Sequence, residues 1–217
     1  TKPQTRLFPP LSGGVALRIR HHLISSGDTY GREFIQANTF WFLTRKSLMS
    51  SCLLNLCRTY DQEESKSLNL KNLLDTIKAN LPLFAEAHFR ERLSNNAFVD
   101  SLASTNRIPT VQEIEQDLEL TTDLNPLVKK LIIWRNNIIA HRSSKVALGK
   151  NQILEDNPIS HAEITELLKD SLVIFDKYSG LYRESRHSVQ IVGHDDYLQV
   201  LKYMKAGIDK ELESYNT

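Results

Sequence analysis

Apolar residues recur at helical spacing along most of this sequence, and this periodicity constrains the fold more than any other feature. Only residues 188–192 have strand-like composition, and a segment so short makes no sheet. We therefore predict an all-α fold. The predicted helices span residues 28–61, 67–80, 82–93, 111–120, 127–142, 160–183 and 195–214, and residues 94–112 and 143–158 are predicted to be connections.

The length and composition indicate one domain. A chain of 217 residues that is 41% apolar and 24% charged can bury one sizeable core. We predict a single helical domain over residues 1–217, with residues 1–27 as an N-terminal arm and residues 193–217 as a C-terminal helix. Prolines and glycines before residue 15 disfavour regular structure there, and no catalytic residue is placed in the arm.

Cysteine usage favours a reducing compartment, and hydropathy argues against a membrane-spanning or secreted protein. Cys52 and Cys57 lie five positions apart in an apolar helical stretch, so we expect two small buried side chains and no disulfide. No segment approaches the roughly 20 apolar residues of a membrane-spanning helix, and the first residues lack the pattern of a secretory signal. We predict a cytoplasmic protein without membrane contact.

The predicted helix over residues 127–142 carries an arginine among its apolar residues. At roughly 100° per residue, Arg135 lies near the middle of an apolar arc of about 160°. Burying a guanidinium alone would cost several kcal/mol, so its position implies a paired carboxylate, a subunit interface or a hydrated cleft. His141 lies at the margin of this arc, one turn after Asn137, which could orient its ring. The apolar residues of the arc are Leu127, Val128, Leu131, Ile132, Trp134, Ile138 and Ile139.

Charge is segregated around this helix. No acidic residue occurs between Asp123 and Glu155, although the formal charge of the whole chain is only +1. A local basic surface of this kind attracts phosphate, and the preceding acidic helix balances its charge. The alternative is that both charge runs are merely solvated helix faces. The basic residues are Lys129, Lys130, Arg135, Arg142, Lys145 and Lys150.

Other kinds of site lack sequence support. The histidines outside residues 127–142 do not follow any recognised ligand spacing, so we predict no metal site and no cofactor. Glycine-rich phosphate loops, nucleophile elbows and dinucleotide fingerprints are also missing from the sequence, which argues against nucleotide hydrolases and dehydrogenases.

Two short motifs give the chain a resemblance to a known superfamily. Arg135 followed by Asn136, four further residues and His141 resembles the Arg-x(4 to 6)-His motif of the HEPN superfamily. Upstream, Leu56-Cys57-Arg58-Thr59-Tyr60-Asp61 and the leucine-rich segment over residues 68–74 are similar to motifs of its abortive-infection U-type branch, the AbiU2-like family. The resemblance extends over roughly residues 34–182. Packing and capping at a helix end explain Tyr60 and Asp61 at least as well as a functional role does.

The resemblance implies a function as well as a fold. It implies an antiparallel helical bundle that forms a homodimer, with the motifs of both protomers making a metal-independent ribonuclease site of a toxin or phage-defence system. In this site His141 would transfer protons, Arg135 would bind the scissile phosphate, and Asn136 would support them by hydrogen bonding. Positions six apart lie about 120° off a common helix face, a separation that pairing across a dimer would relieve.

The expected partners are RNA, a second copy of the chain and an antitoxin protein. Lys130, Arg142 and Lys145 are the expected RNA contacts. The alternative is a non-catalytic HEPN-like module that binds RNA, a nucleotide or a protein, because a fold can persist without its activity.

Overall fold

The chain is all-α, as predicted. A computed structural model describes residues 9–62, 67–139, 155–187 and 195–215, and these residues form a helical bundle without a β-strand. No helix in these ranges is both long and apolar enough to cross a membrane. The α-helices are α1 (Pro9–Ser25), α2 (Gly31–Gln36), α3 (Asn38–Thr59), α4 (Leu70–Ala79), α5 (Glu86–Arg92), α6 (Val99–Ala103), α7 (Val111–Thr121), α8 (Pro126–Trp134), α9 (His161–Arg183) and α10 (Tyr197–Tyr215).

Part of the expected N-terminal arm is helical. Helix α1 starts at two consecutive prolines, which the first turn of a helix tolerates because its N–H groups have no intrahelical partner. Gly13 lies close to α3: a Cβ at this position would be in van der Waals contact, 3.4 Å from both Asn55 Cβ and the Cys52 carbonyl oxygen. The prediction of irregular structure is therefore wrong for residues 9–14. Packing of α1 on α3 outweighs the helix-breaking tendency of these residues.

The single helix predicted over residues 28–61 is divided in two. Ala37 leaves the helical conformation at φ −125° and ψ 44°, between α2 and α3. The break places Phe34 edge-on against the buried Trp41, with ring centroids 5.2 Å apart. No proline or glycine marks this position, so tertiary packing sets the break.

Two smaller differences from the prediction concern residues 81–103. The helix predicted over residues 82–93 begins instead as a 3₁₀ turn, Leu81–Phe84, and Ala85 adopts extended backbone before α5. The connection predicted over residues 94–112 contains the short helix α6. The 3₁₀ turn starts with a proline, and an α-helix accepts proline at the same position. The sequence therefore does not show which of the two helix types forms.

The main core is built from six of the helices. Leu17, Leu56, Leu74, Ile114, Leu131 and Leu167 are buried members of it, one each from α1, α3, α4, α7, α8 and α9. The thiols Cys52 and Cys57 are free and buried in this core, as predicted. Fully burying a leucine stabilises the fold by roughly 1.5–3 kcal/mol, so this core is the main source of rigidity around α8.

The capping box predicted at Ser160 begins α9. The Ser160 hydroxyl accepts from the Glu163 amide, and the Glu163 carboxylate accepts from the Ser160 amide. At the other end of the chain, α10 packs against α2 through a second cluster that contains Leu23, Trp41 and Leu201. The C-terminal helix is therefore attached to the bundle.

Candidate functional site

Local sequence determines where α8 begins. The Asn125 side chain accepts a hydrogen bond from the Leu127 amide, and Pro126 occupies the first turn. Val128 and Leu131 are then buried on one face of the helix. This packing fixes α8 against the core and holds the residues that follow it.

The predicted straight helix to residue 142 widens after Trp134. Residues Arg135–Ile139 form a π-helical turn, with hydrogen bonds from residue i to i+5. The expected 100° spacing is therefore wrong for these residues, because a wider turn advances by a smaller angle per residue. The Asn137 side-chain amide donates to the Ile133 carbonyl at 2.8 Å, so this donor is already engaged within the turn. π-turns of this kind occur frequently at functional sites.

The Trp134 indole ties this region to the start of α9. Its N–H donates to the Asn157 carbonyl oxygen at 2.6 Å, three residues before the capping serine of α9. The side chain of Trp134 is half-buried. The contact anchors one side of the wide turn to a segment distant in sequence.

Arg135 is paired with a carboxylate. Its Nη1 lies 2.6 Å from Asp61 Oδ1, and its Nε donates to Asn136 Oδ1 at 2.9 Å. The two charged side chains are only 15% and 21% exposed, so solvent screens the pair incompletely. Of the three explanations for an arginine in the apolar arc, the structure shows the paired carboxylate. The guanidinium plane is held from two directions, which fixes its orientation.

Asp61 was not among the site residues predicted from the sequence. It follows α3, whose capping residue Tyr60 is buried and donates from its hydroxyl to the Leu167 carbonyl oxygen at 2.7 Å. This bond joins the end of α3 to α9 and so helps to position Asp61. The signal in the sequence was the aspartate of the upstream motif, which the structure brings to the arginine of the downstream motif.

The interior next to this ion pair is apolar. Burial raises the pKa of the Cys57 thiol to about 12, although the positive charge of Arg135 acts in the opposite direction. The thiol is therefore protonated and unreactive near neutral pH. We assign Cys57 a packing role beneath the site.

Lys130 also has a partner within the chain. Its Nζ lies 2.5 Å from Glu163 Oε1, with the side chains 25% and 23% exposed. The Lys130 hydrogen bond, together with bonds from the Ser160 amide and hydroxyl, lowers the pKa of Glu163 to about 2. The ion pair links α8 to the first turn of α9. A contact between Lys130 and RNA remains a prediction.

Three of the predicted site residues lie outside the part of the chain that the structure describes. His141, Arg142 and Lys145 lie outside the described residues, whereas Arg135 and Asn136 lie within them and contact each other. Within the described ranges, no group of three or more histidine, cysteine, aspartate or glutamate residues is arranged to hold a metal ion.

Comparison with known proteins identifies the family. The family model for AbiU2, a HEPN family, matches residues 12–202, which is most of the chain. No curated protein and no solved structure matches the sequence. The match includes both motif segments that the Asp61–Arg135 ion pair joins. The chain therefore belongs to the AbiU2 family of HEPN domains, a family related to abortive infection and defence.

Proposed function

We propose that the chain is a metal-independent RNA endonuclease of a toxin or phage-defence system, with a composite Arg135 and His141 site at a homodimer interface. The observation that carries the proposal is the fixed orientation of the Arg135 guanidinium. Asp61 and Asn136 hold it in a wide helical turn, six positions before His141. An oriented guanidinium binds a phosphate with little loss of conformational entropy.

The proposed reaction needs no group from outside the protein and RNA. The ribose 2′-oxygen attacks phosphorus, the bond from phosphorus to the 5′-oxygen breaks, and a 2′,3′-cyclic phosphate and a 5′-hydroxyl form. A base takes the proton of the 2′-hydroxyl, and an acid gives one to the leaving oxygen. The His141 residues of two protomers provide both groups, because histidine is the side chain whose ordinary pKa lies closest to neutral pH, so it suits either role. Arg135 stabilises the charge that develops on the phosphate. Asn136 supports the guanidinium, and Asp61 is a positioning residue.

An exposed face of α3 supports the dimer. Phe40, Leu43 and Leu54 are 60%, 53% and 38% exposed. They share one face of the helix with exposed serines, and this face ends at Arg58, three residues before Asp61. Leucines separated by serines permit close helix packing. A second copy of the chain bound to this face would bring its Arg135 region near the Arg135 region of the first copy.

The dimer is tested by substitution on this face. The mass of one chain is 24.9 kDa, and we expect sedimentation equilibrium to give twice this value for the unaltered protein. Leu54→Glu places a charge on the α3 face and should yield a monomer with reduced cleavage. Leu212→Glu is the matched control, because Leu212 is an exposed leucine on α10. A monomeric unaltered protein that still cleaves RNA would contradict the composite site.

Ribonuclease activity is tested with labelled RNAs in EDTA. We expect cleavage by the unaltered protein, with 2′,3′-cyclic phosphate ends. His141→Ala should lower the rate by roughly 10²–10⁴-fold, the usual contribution of acid–base catalysis, and Arg135→Ala should lower it as well. The controls are His88→Ala and Arg183→Ala, which change exposed residues on α5 and α9. Equal cleavage by all the variants would exclude the assigned site.

One observation favours the second candidate, a non-catalytic HEPN-like binding module. Two of the cations expected to contact RNA, Lys130 and Arg135, form ion pairs with carboxylates of the same chain. Pairing reduces the positive charge presented to a phosphate. If no preparation cleaves RNA while gel-shift experiments show salt-dependent binding, the module is the correct function. An antitoxin partner remains a prediction in either case.

A further inference from the structure

A cavity of about 630 Å³ lies between α1 and α9. This volume is in the usual range for small-molecule sites, roughly 300–1,000 Å³. Its apolar lining residues are the buried Leu17 and Leu168, together with Leu172 and Val173. None of the described lining residues belongs to the Arg135 and Asp61 site.

Fixed charges in the cavity are mostly positive. Arg18 from α1 and Lys169 from α9 both line it. Among the described lining residues, Asp176 is the one carboxylate, and it accepts from both the backbone amide and the ring Nδ1 of His187, at 2.9 Å and 3.0 Å. The cavity therefore offers more hydrogen-bond donors than acceptors.

Two further imidazoles line the same cavity. His21 of α1 and His161 of α9 have ring centroids 5.7 Å apart, tilted by 40°. Burial lowers the pKa of His161, and the nearby His21 and Arg20 lower it further. Positive charge nearby disfavours a proton on His161, and a bound anion would act in the opposite direction.

We propose that this cavity binds a small phosphate monoester with an apolar body. The apolar side chains of α1 and α9 would contact the apolar body, and Arg18, Lys169 and the imidazole N–H groups would surround the phosphate. A phosphate dianion offers three acceptor oxygens, which matches this donor set better than the two oxygens of a carboxylate. The site provides the chain with a ligand-binding function in addition to the proposed RNA cleavage.

Isothermal titration calorimetry with phenyl phosphate tests the proposal. We expect saturable binding of one phenyl phosphate molecule per chain. Its affinity should be higher than that of inorganic phosphate, which lacks the apolar body, and than that of phenol, which lacks the phosphate. Lys169→Gln should weaken it about tenfold, the effect of losing one charge-assisted contact. Val173→Trp fills the cavity at a position that is 58% exposed, so the fold should tolerate it, and binding should be lost. Lys202→Gln, an exposed lysine on α10, should bind normally.

A nuclear magnetic resonance titration gives a second readout. The ring signal of His161, assigned by its loss in His161→Gln, should titrate at a higher pH when phenyl phosphate is bound than when the protein is free. Binding that is equal in Lys169→Gln, Val173→Trp and Lys202→Gln, or an unchanged His161 titration in the complex, would overturn the proposal. RNA cleavage does not enter either measurement, so its presence or absence does not affect the outcome.

Discussion

Removing the charge of Asp61 should destabilise the folded chain by about 2 kcal/mol. Exposed ion pairs contribute roughly 0.2–1 kcal/mol, whereas breaking a fully buried pair costs about 3–5 kcal/mol. The side chains of Arg135 and Asp61 are 15% and 21% exposed, which places this pair between the two limits. Asp61→Asn keeps the shape of the side chain and leaves the half-buried guanidinium without its carboxylate. For a chain of this length the loss corresponds to a fall in Tm of roughly 4–8 °C.

The measurement is urea unfolding followed by far-ultraviolet circular dichroism at one fixed protein concentration. Asp75→Asn is the matched control, because Asp75 pairs with Lys71 at 2.7 Å on the surface, with side chains 47% and 38% exposed. This control should cost less than about 0.5 kcal/mol. A double-mutant cycle with Arg135→Met then isolates the coupling between Arg135 and Asp61. If Asp61→Asn costs no more than Asp75→Asn, the Arg135 guanidinium is not held as described.

Two further predictions concern titratable groups. The pKa of Glu163 is lowered to about 2 by Lys130 and Ser160, so its contribution to stability is complete above the ordinary value of 4.5 and is lost as the pH falls towards 2. The difference in unfolding free energy between the unaltered protein and Glu163→Gln should therefore be constant above pH 5 and shrink below it; a difference that grows in acid would be inconsistent with this sign. Burial raises the pKa of Cys52 and Cys57 to about 12, so a thiol reagent at pH 8 should label them only as fast as the protein unfolds, and rapid labelling of native protein would contradict their burial.

The sequence predicts helices well where local signals and packing agree. The capping box at Ser160 and the apolar periodicity of α9 specify the same element, and the structure has it. The break at Ala37 has no local signal, because it depends on the contact of Phe34 with Trp41. The helical start of α1 was missed for the opposite reason: local signals against a helix at Gly13 yield to close packing on α3.

The candidate site was predictable in part. The apolar arc correctly singled out Arg135 as a cation that needs a partner, and the structure supplies one. The upstream motif contains this partner, Asp61, but nothing in the sequence pairs it with Arg135, because the two residues are distant along the chain and only the folding of α3 against the end of α8 brings them together. The wide turn at Arg135 was also beyond prediction, since its sequence suits an ordinary α-helix equally well.

Gly13 lies where three helices, α1, α3 and α9, pack together. Its missing side chain would meet Asn55 and Cys52 of α3 at 3.4 Å and Leu168 of α9 at 3.5 Å. Leu168 also lines the cavity, as does Gly14 next to Gly13. Alanine would fit at position 13, because its Cβ would be in ordinary van der Waals contact with these atoms. A longer side chain would have to displace α1 from α3 and α9, and it would therefore change the width of the cavity.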